Sequence, residues 1–454
     1  FLRPMPSRVA VFVAAVAALA AASILLPSGW TAPPDEWLAA TAILALSGLL
    51  LEFVEVPTPN NGTLSVSGVA HVAIVLIAPA PQAALVVGAT VAIHQLVTRR
   101  PPLRVVFNVA NHVLTVSLAS AAVALVGAPR ELILERPLPW GYLAAALAGG
   151  TYYAANVGLT AVVVSLATRR RFRYVLRTNN RSTLLPDLGA TTLGVLLAAS
   201  WHAMPAWVVV LGVPTAVIAR TLRIIRRLER ETIEAVETLA DSIDERDATT
   251  FHHSDRVSQY AVALARAMKL DDGLVDLIGL AARVHDLGKM GVRDAVLLKP
   301  TRLASDEEER MREHPEIGAR ILSRYGLYRD GAALVRAHHE RWDGTGYPDG
   351  LAGEQIPLGA RVIAVADAFD AMTSDRPYRA ALHPLTAIEE LRRGAGAQWD
   401  PVVVAHFIRL VTDPASELPD TEALRRLRDG SAPPPRPAIR PVIRPALRPV
   451  REAS

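Results

Sequence analysis

Eight apolar runs fill the first 219 residues, at roughly 9–26, 37–54, 64–78, 80–97, 109–126, 140–167, 184–200 and 203–219. Because a helix needs about 20 apolar residues to cross a bilayer, most of these runs predict membrane spans. The third and fourth are short and joined by APAPQ, so a re-entrant hairpin there leaves six spans instead of eight. Both counts put the two ends of the module on one side. The clusters TRRPPLR (98–104), TRRRFRYVLR (168–177) and RTLRIIRR (220–227) then share one face, and the positive-inside rule makes it cytoplasmic. The segment PRELILERP at 129–137 runs against this, since it falls outside and its two glutamates do not cancel its two arginines. The opening FLRPMPSRVAVFVAAVAALAAASILL has the look of a signal peptide, but the spans that follow favour an uncleaved first helix. Polar residues inside the runs, namely His71, His94, Asn108, Asn111, His112 and Asn156, either line a ligand cavity or bond neighbouring helices to one another.

Composition narrows the rest. The chain is 51% hydrophobic with a mean hydropathy of +0.26, and the apolar residues concentrate in its first half, so several domains are expected. It has no cysteine, which excludes disulfides and thiolate zinc ribbons and leaves His, Asp and Glu to build any metal site. The net charge of +4 comes with arginines that cluster beside apolar segments and in the tail, a pattern that fits a membrane surface better than a nucleic acid polymer. Residues 222–243 have good helix formers and no Gly or Pro, and Leu222, Ile225, Val236, Leu239 and Ile243 make a heptad-like stripe. This segment reads as a helix continuing the last span, either as a dimer stalk or as the first core helix of the next domain, with Glu229 and Thr232 weakening the stalk. The tail from 432, APPPRPAIRPVIRPALRPVREAS, repeats Arg-Pro and reads as disordered, with contact to anionic lipid or an acidic partner as the alternative.

Beyond residue 245, helical periodicity continues through SDRVSQYAVALARAMKL, DGLVDLIGLAARVHDLGK, DEEERMREHPEIGARILSRYG, AALVRAHHERWD and LGARVIAVADAFDAMTSD, which predicts an all-helical domain. His285 and Asp286 are consecutive near the end of an apolar helix, and side chains about 100° apart can serve two cations or bridge a pair. Asp367 sits in VIAVADAFDAM, where an unpaired buried carboxylate is costly and calls for a cation or charged partner. His253, His314, His338 and His339 add imidazole donors suited to Fe, Mn or Zn.

The order HSDRV, HDLGK, HP, HHERWDGTGYP, GEQIPLGARVIAVADAFDAMTSDRPYR closely resembles the HD-GYP family of bacterial phosphodiesterases over about residues 232–412. The resemblance implies a cytosolic all-helical domain over 232–412, and with the hydropathy reading the expected architecture is all-α: a membrane helix bundle over 1–219, a connecting helix over 220–245, that domain, and a linker and tail over 413–454. The layout of the first half is similar to the multi-span sensor modules, of the MASE kind, that precede bacterial signalling enzymes. Carried over by motif, His253, His285, Asp286, His314, His338, His339 and Asp367 hold two divalent metal ions, with iron or manganese favoured. Asp286 and Lys289 act in catalysis, Lys289 on the scissile phosphate, while Arg376 and Arg379 hold the other phosphate of a cyclic dinucleotide. Gly346, Tyr347 and Pro348 form the lip that holds a guanine, braced by Arg341, Trp342 and Asp343. The implied reaction is hydrolysis of cyclic di-GMP to linear pGpG or GMP by a multi-pass protein of the inner membrane, a homodimer with its catalytic domain in the cytoplasm. A receptor that binds cyclic di-GMP without turnover, and a hydrolase of another cyclic dinucleotide, stay open. Two positions depart from the family pattern: His252 stands where glycine is usual, and Thr249 stands where family members with a third metal carry glutamate, which favours two metals.

Overall fold

The structure, a computed structural model, describes residues 7–25, 35–57, 63–126, 139–201, 207–246, 253–299, 301–375 and 380–413, with Leu418, Leu424 and Arg425. The segment 129–137, the proline-rich tail, Thr249, His252, Arg376 and Arg379 lie outside the described residues. The chain divides into two compact units, 1–233 and 234–454.

The first unit is helical: α1 (Ser7–Leu25), α2 (Asp35–Glu52), α3 (Gly68–Ile77), α4 (Ala80–Val97), α5 (Pro102–Ala124), α6 (Pro139–Thr168), α7 (Phe172–Ser200) and the first part of α8 (Trp207–Arg246). Between α2 and α3 a short antiparallel hairpin pairs β1 (Glu55–Pro57) with β2 (Thr63–Ser65). Among the described residues four helices are long and apolar enough to cross a membrane: Ser7–Leu25, Ala80–Val97, Pro102–Ala124 and Leu143–Thr168. The sequence reading counts eight runs, or six spans, and the difference lies in length and polarity. The helix α3 has only 10 residues, about 15 Å or half a bilayer core. It is buried on every face from Val69 to Ile77, packed chiefly against α2 and α7, as befits a helix that is apolar all round. In α7 the apolar stretch is confined to Asp187–Ala199, after a polar first half. The α4 run, read from sequence as half of a hairpin, is one of the four long helices. Outward-facing Val11, Leu19, Leu46, Leu50, Leu118 and Leu196 leave an apolar exterior that suits lipid.

The second unit holds the end of α8 and α9 (His253–Ala267), α10 (Asp272–Arg283), α11 (Asp294–Leu297), α12 (Ser305–Arg312), α13 (His314–Leu322), α14 (Ala332–Arg336), α15 (Leu358–Thr373), α16 (Pro384–Gly394) and α17 (Pro401–Thr412), with 3-10 turns at Leu287–Gly291, Arg329–Gly331 and Gly353–Gln355. In α8 Val236, Ala240 and Ile243 are buried while Ile225 and Leu239 are exposed, so the end of this helix serves as a core helix of the unit. Caps define the helix starts: Asp271 accepts from Gly273 N, and Asp400 from Val402 N and Val403 N. Tyr260, Phe369 and Phe407 join α9, α15 and α17 through ring centroids 5.0–6.1 Å apart. That aromatic core holds α9 and α15 face to face.

Candidate metal centre

Every candidate ligand sits at a helix end or turn, except Asp367 in the middle of α15. His253 opens α9, and His314 opens α13 ahead of Pro315, a residue suited to the first turn because it has no N–H to satisfy. His285 and Asp286 fall in the turn that leaves α10, and His338 and His339 in the turn that leaves α14. Gly288 lets the turn after α10 meet the start of α13, because a Cβ there would lie 1.8 Å from the His314 carbonyl oxygen. The result is two neighbouring donor sets. Asp286, His314, His338 and His339 form one, His253, His285 and Asp367 the other, each with one ligand atom per residue within 4.8 Å of the rest. All seven residues expected from the sequence are therefore brought together.

Hydrogen bonding decides which nitrogen each imidazole offers. Nδ1 of His285, His314 and His338 lies 2.9, 2.7 and 2.6 Å from the carbonyls of Ala282, Met311 and Val335. A carbonyl can only accept, so each Nδ1 carries the proton and each Nε2 keeps its lone pair. Those three Nε2 atoms are buried without a hydrogen-bond partner, and those of His285 and His314 face carboxylates. His285 Nε2 is 3.4 Å from Asp286 Oδ2, and His314 Nε2 is 3.3 Å from Asp286 Oδ1. On the other side His253 Nε2 is 3.2 Å and His285 Nε2 3.9 Å from Asp367 Oδ1. The Nε2 lone pairs of His285 and His314, directed at carboxylates from 3.3–3.9 Å, need positive charge between them, and a set of imidazoles and carboxylates fits a divalent cation of the iron, manganese or zinc kind.

Two i,i+3 pairs interlock on the facing helices α9 and α15. His253 Nδ1 donates to Asp370 Oδ2 at 2.7 Å, while Arg256 grips the same carboxylate at 2.7 and 2.9 Å through Nε and Nη2. Asp367, one turn earlier on α15, is left facing His253 Nε2.

The electrostatics follow. Burial, then the neighbouring His314, drives His339 down to about 3, and burial followed by His339 lowers His338 well below its ordinary value. Burial alone would raise Asp286, yet Lys289, whose Nζ is 2.8 Å away, and His285 hold it well below the usual carboxylate range. Asp367 is lowered against its burial by the hydrogen bond from His253 and by His285. His253 moves the other way, up to about 10, because Asp367 and Asp370 outweigh its burial. A proton and a metal ion thus compete for His253 Nε2.

The rim is built from the loop after His339. Arg341 is paired with Asp343 at 2.8 Å and donates to Thr345 Oγ1 at 2.8 Å, which braces the turn. Gly346 lets the loop fold back, since a Cβ there would lie 2.3 Å from Arg341 N. Tyr347 lies beside His339, ring centroids 5.0 Å apart, with the Arg312 guanidinium 5.2 Å from its ring centre. Burial, followed by Asp286, pushes the Tyr347 hydroxyl up to about 12. Pro348 follows through a cis peptide bond. Trp342 carries the Arg361 guanidinium 5.7 Å from its ring centre.

Sequence reading overlooks three supporting acids. Asp370 steadies His253; buried Glu340 accepts from Asp349 N at 2.7 Å and Leu351 N at 3.0 Å, strapping the loop; and buried Asp244 receives Ser254 N and Oγ. The available signal was the three-residue spacing of Asp367 and Asp370 in one apolar helix.

Residues 237–403 match the family model described as HD domain. The chain is 41% identical over 192 residues to "Cyclic di-GMP phosphodiesterase response regulator RpfG" of Xanthomonas campestris pv. campestris, a match covering 42% of this chain and 51% of that protein. It is 39% identical over 198 residues to "Cyclic di-GMP phosphodiesterase" of Thermotoga maritima, covering 43% of this chain and 52% of the relative. To "3'3'-cGAMP-specific phosphodiesterase 2" of Vibrio cholerae it is 36% identical over 173 residues, covering 38% and 33%. The chain thus spans about half the length of the first two relatives and a third of the last.

Proposed function

We propose that this chain, with its HD domain at residues 237–403, is a membrane-anchored, metal-dependent phosphodiesterase that opens cyclic di-GMP to linear pGpG, with GMP as the product of a second cut. The observation that carries the reading is the pair of adjacent donor sets, with His285 in one and Asp286, the next residue, in the other. Two divalent cations held by these residues, iron or manganese, would supply Lewis acidity, making a water more acidic and offsetting phosphate charge.

The chain's own residues do the rest. The Nδ1 bonds of His285, His314 and His338 hold the rings with Nε2 inward, so the donor sets are oriented before any ion arrives. Asp286 stays ionised beside Lys289, and the ammonium stands where a scissile phosphate approaching Asp286 meets it. In the hydrolysis one water is consumed: its oxygen bonds to phosphorus as the P–O3' bond breaks, and the proton it gives up goes to the departing 3' oxygen. Tyr347, held over His339 by the strap from Glu340, forms with Gly346 and Pro348 a wall for a guanine base. Arg376 and Arg379 follow α15 in DRPYR and take the second phosphate. The apolar helices of the first unit anchor the protein in the inner membrane, with the HD domain in the cytoplasm, and α8 makes a homodimer contact. The name of the Vibrio cholerae relative favours one alternative substrate, 3'3'-cGAMP.

The test is direct. The full chain in detergent, stripped and reloaded with iron or manganese, is given cyclic di-GMP, 3'3'-cGAMP and pGpG, and products are separated by chromatography. Linear pGpG from cyclic di-GMP is expected. Tight binding of cyclic di-GMP with no product under any metal would replace this reading with that of a receptor.

A further inference from the structure

Two acids near the end of α8, Asp241 and Asp244, lie one turn apart on the same side of the helix. Asp244 is buried at 3% exposure. Its Oδ2 accepts from Ser254 N at 2.8 Å and its Oδ1 from Ser254 Oγ at 2.9 Å. Ser254 is the second residue of α9, and His253 is the first. The opening N–H groups of a helix have no partner within it, so a carboxylate arriving from another helix both satisfies Ser254 N and sets negative charge at the helix start. The backbone that carries His253 is thereby pinned from α8, while Asp370 orients the ring from α15.

Asp241 reaches the other turn. Arg283 Nη2 lies 2.8 Å from Asp241 Oδ1 and 2.9 Å from Oδ2. With the arginine side chain only 14% exposed, this pair is screened less than a surface bridge. Arg283 is the last residue of α10 and follows Ala282, whose carbonyl accepts from His285 Nδ1 at 2.9 Å. The contact therefore holds the last turn of α10 where His285 is aimed. These bonds converge on one donor set, because His253 and His285 both belong to the group completed by Asp367. The other set is fixed from elsewhere: His314 Nδ1 on the Met311 carbonyl, His338 Nδ1 on that of Val335, and the start of α13 against Gly288.

We propose that Asp241 and Asp244 are positioning residues for the ion held by His253, His285 and Asp367, so that α8 acts on this ion and not on its neighbour. Neither acid touches the ion; each works through the backbone of a turn. The inference rests on the two-metal reading above and divides the centre in two. One ion sits in a set fixed within the helical domain, the other in a set whose geometry depends on where α8 lies. Because α8 starts in the first unit, a displacement of this helix reaches the second ion.

The experiment takes the full chain in detergent and its Asp244→Ala, Asp244→Asn and Asp241→Asn variants, strips each of metal, and titrates it with Mn2+ against a competing chelator. The parent should take up two ions. Asp244→Ala should bind one as the parent does and the other about tenfold more weakly, the lower end of the effect of groups outside the ligand shell. Asp244→Asn should bind close to the parent, because its amide oxygen accepts from Ser254 N and its amide nitrogen donates to Ser254 Oγ. Asp241→Asn removes the charge facing Arg283 and should weaken the same ion as Asp244→Ala. In a His253→Ala background, which leaves one ion, Asp244→Ala should change nothing further. Amide exchange in the metal-free proteins gives a reading that needs no ion: the peptide carrying Ser254 should exchange faster in Asp244→Ala and at the parent's rate in Asp244→Asn. Equal weakening of both ions in Asp244→Ala and Asp241→Asn, two unaltered ions in both, or a parent that binds a single ion would each overturn the proposal. Binding is read without substrate, so a chain that fills both sets and leaves cyclic di-GMP uncleaved would fail the phosphodiesterase reading and not this one.

Discussion

Asp370→Asn tests whether the metal centre depends on a residue that touches no metal. The substitution keeps the shape of a side chain that is 1% exposed and removes its charge. His253 Nδ1 loses a charged acceptor at 2.7 Å, and Arg256 loses a two-pronged partner at 2.7 and 2.9 Å. Removing an outer-sphere carboxylate of this kind costs about ten- to a hundredfold in metal affinity, or about 1.4–2.7 kcal/mol. The sign of the pH effect needs care, because Asp370 stabilises the competing proton as well. In the metal-free parent His253 titrates up at about 10, so it is protonated at neutral pH and must release that proton to bind an ion. Affinity for Mn2+ should therefore rise about tenfold per pH unit between pH 7 and 9. In the variant both the proton and the metal are held less strongly. Its curve should rise less steeply, reach its plateau earlier, and lie about ten- to a hundredfold below the parent there, with the two curves converging toward neutral pH. Competition against a fluorescent chelator across pH 6.5–10 measures this, with apo-protein melting as the control for folding. Equal plateaus and equal slopes would refute the role assigned to Asp370.

Asp286→Ala should abolish both metal retention and cyclic di-GMP hydrolysis while circular dichroism stays that of the parent, because no neighbour can replace a carboxylate that faces His285 and His314 at once; normal turnover with unchanged metal content would remove Asp286 from the centre. Replacing Arg376 and Arg379 together with alanine should leave metal content intact and raise KM, at about 1.5–3 kcal/mol per charge-assisted bond, or roughly ten- to a hundredfold in kcat/KM per arginine; unchanged affinity for cyclic di-GMP would mean the substrate lies the other way across the site. Glu340→Gln sets an amide donor against the N–H of Asp349 or Leu351, an unsatisfied contact costing about 1–3 kcal/mol. Thermal melting should record that loss and KM should rise, with metal content constant; an unaltered melting curve would count against the strap.

The metal ligands were legible because their residue types are rare in apolar helices and their order is distinctive. HDLGK and HHERWDGTGYP name their own ligands, and the helical period carried α9, α10 and α15 with them. What stayed hidden depends on contacts between distant segments. Asp370 is 117 residues from His253 and reads locally as one more acid on a helix. Glu340 looks like a solvated charge beside Arg341 until the loop folds back over it. In the first half, hydropathy registers apolar runs but not how far each helix extends, so the runs over α3 and α4 read equally as two spans or one hairpin, whereas α3 is a short buried helix and α4 a long one.

The contact at Gly288 bears on how such a protein can diversify. The turn carrying His285 and Asp286 and the start of α13 meet main chain to main chain, with room for a hydrogen and no more. The spacing between Asp286 and His314 is accordingly a property of two backbones, which mutation can disrupt but cannot adjust by small steps. The rim is different: the side chains of Arg341, Trp342, Asp343 and Tyr347 hang from a loop strapped by Glu340 and can be exchanged without moving the floor. A lineage built on this plan should therefore inherit its bond-breaking chemistry unchanged and acquire new nucleotide preferences by drift at the lip.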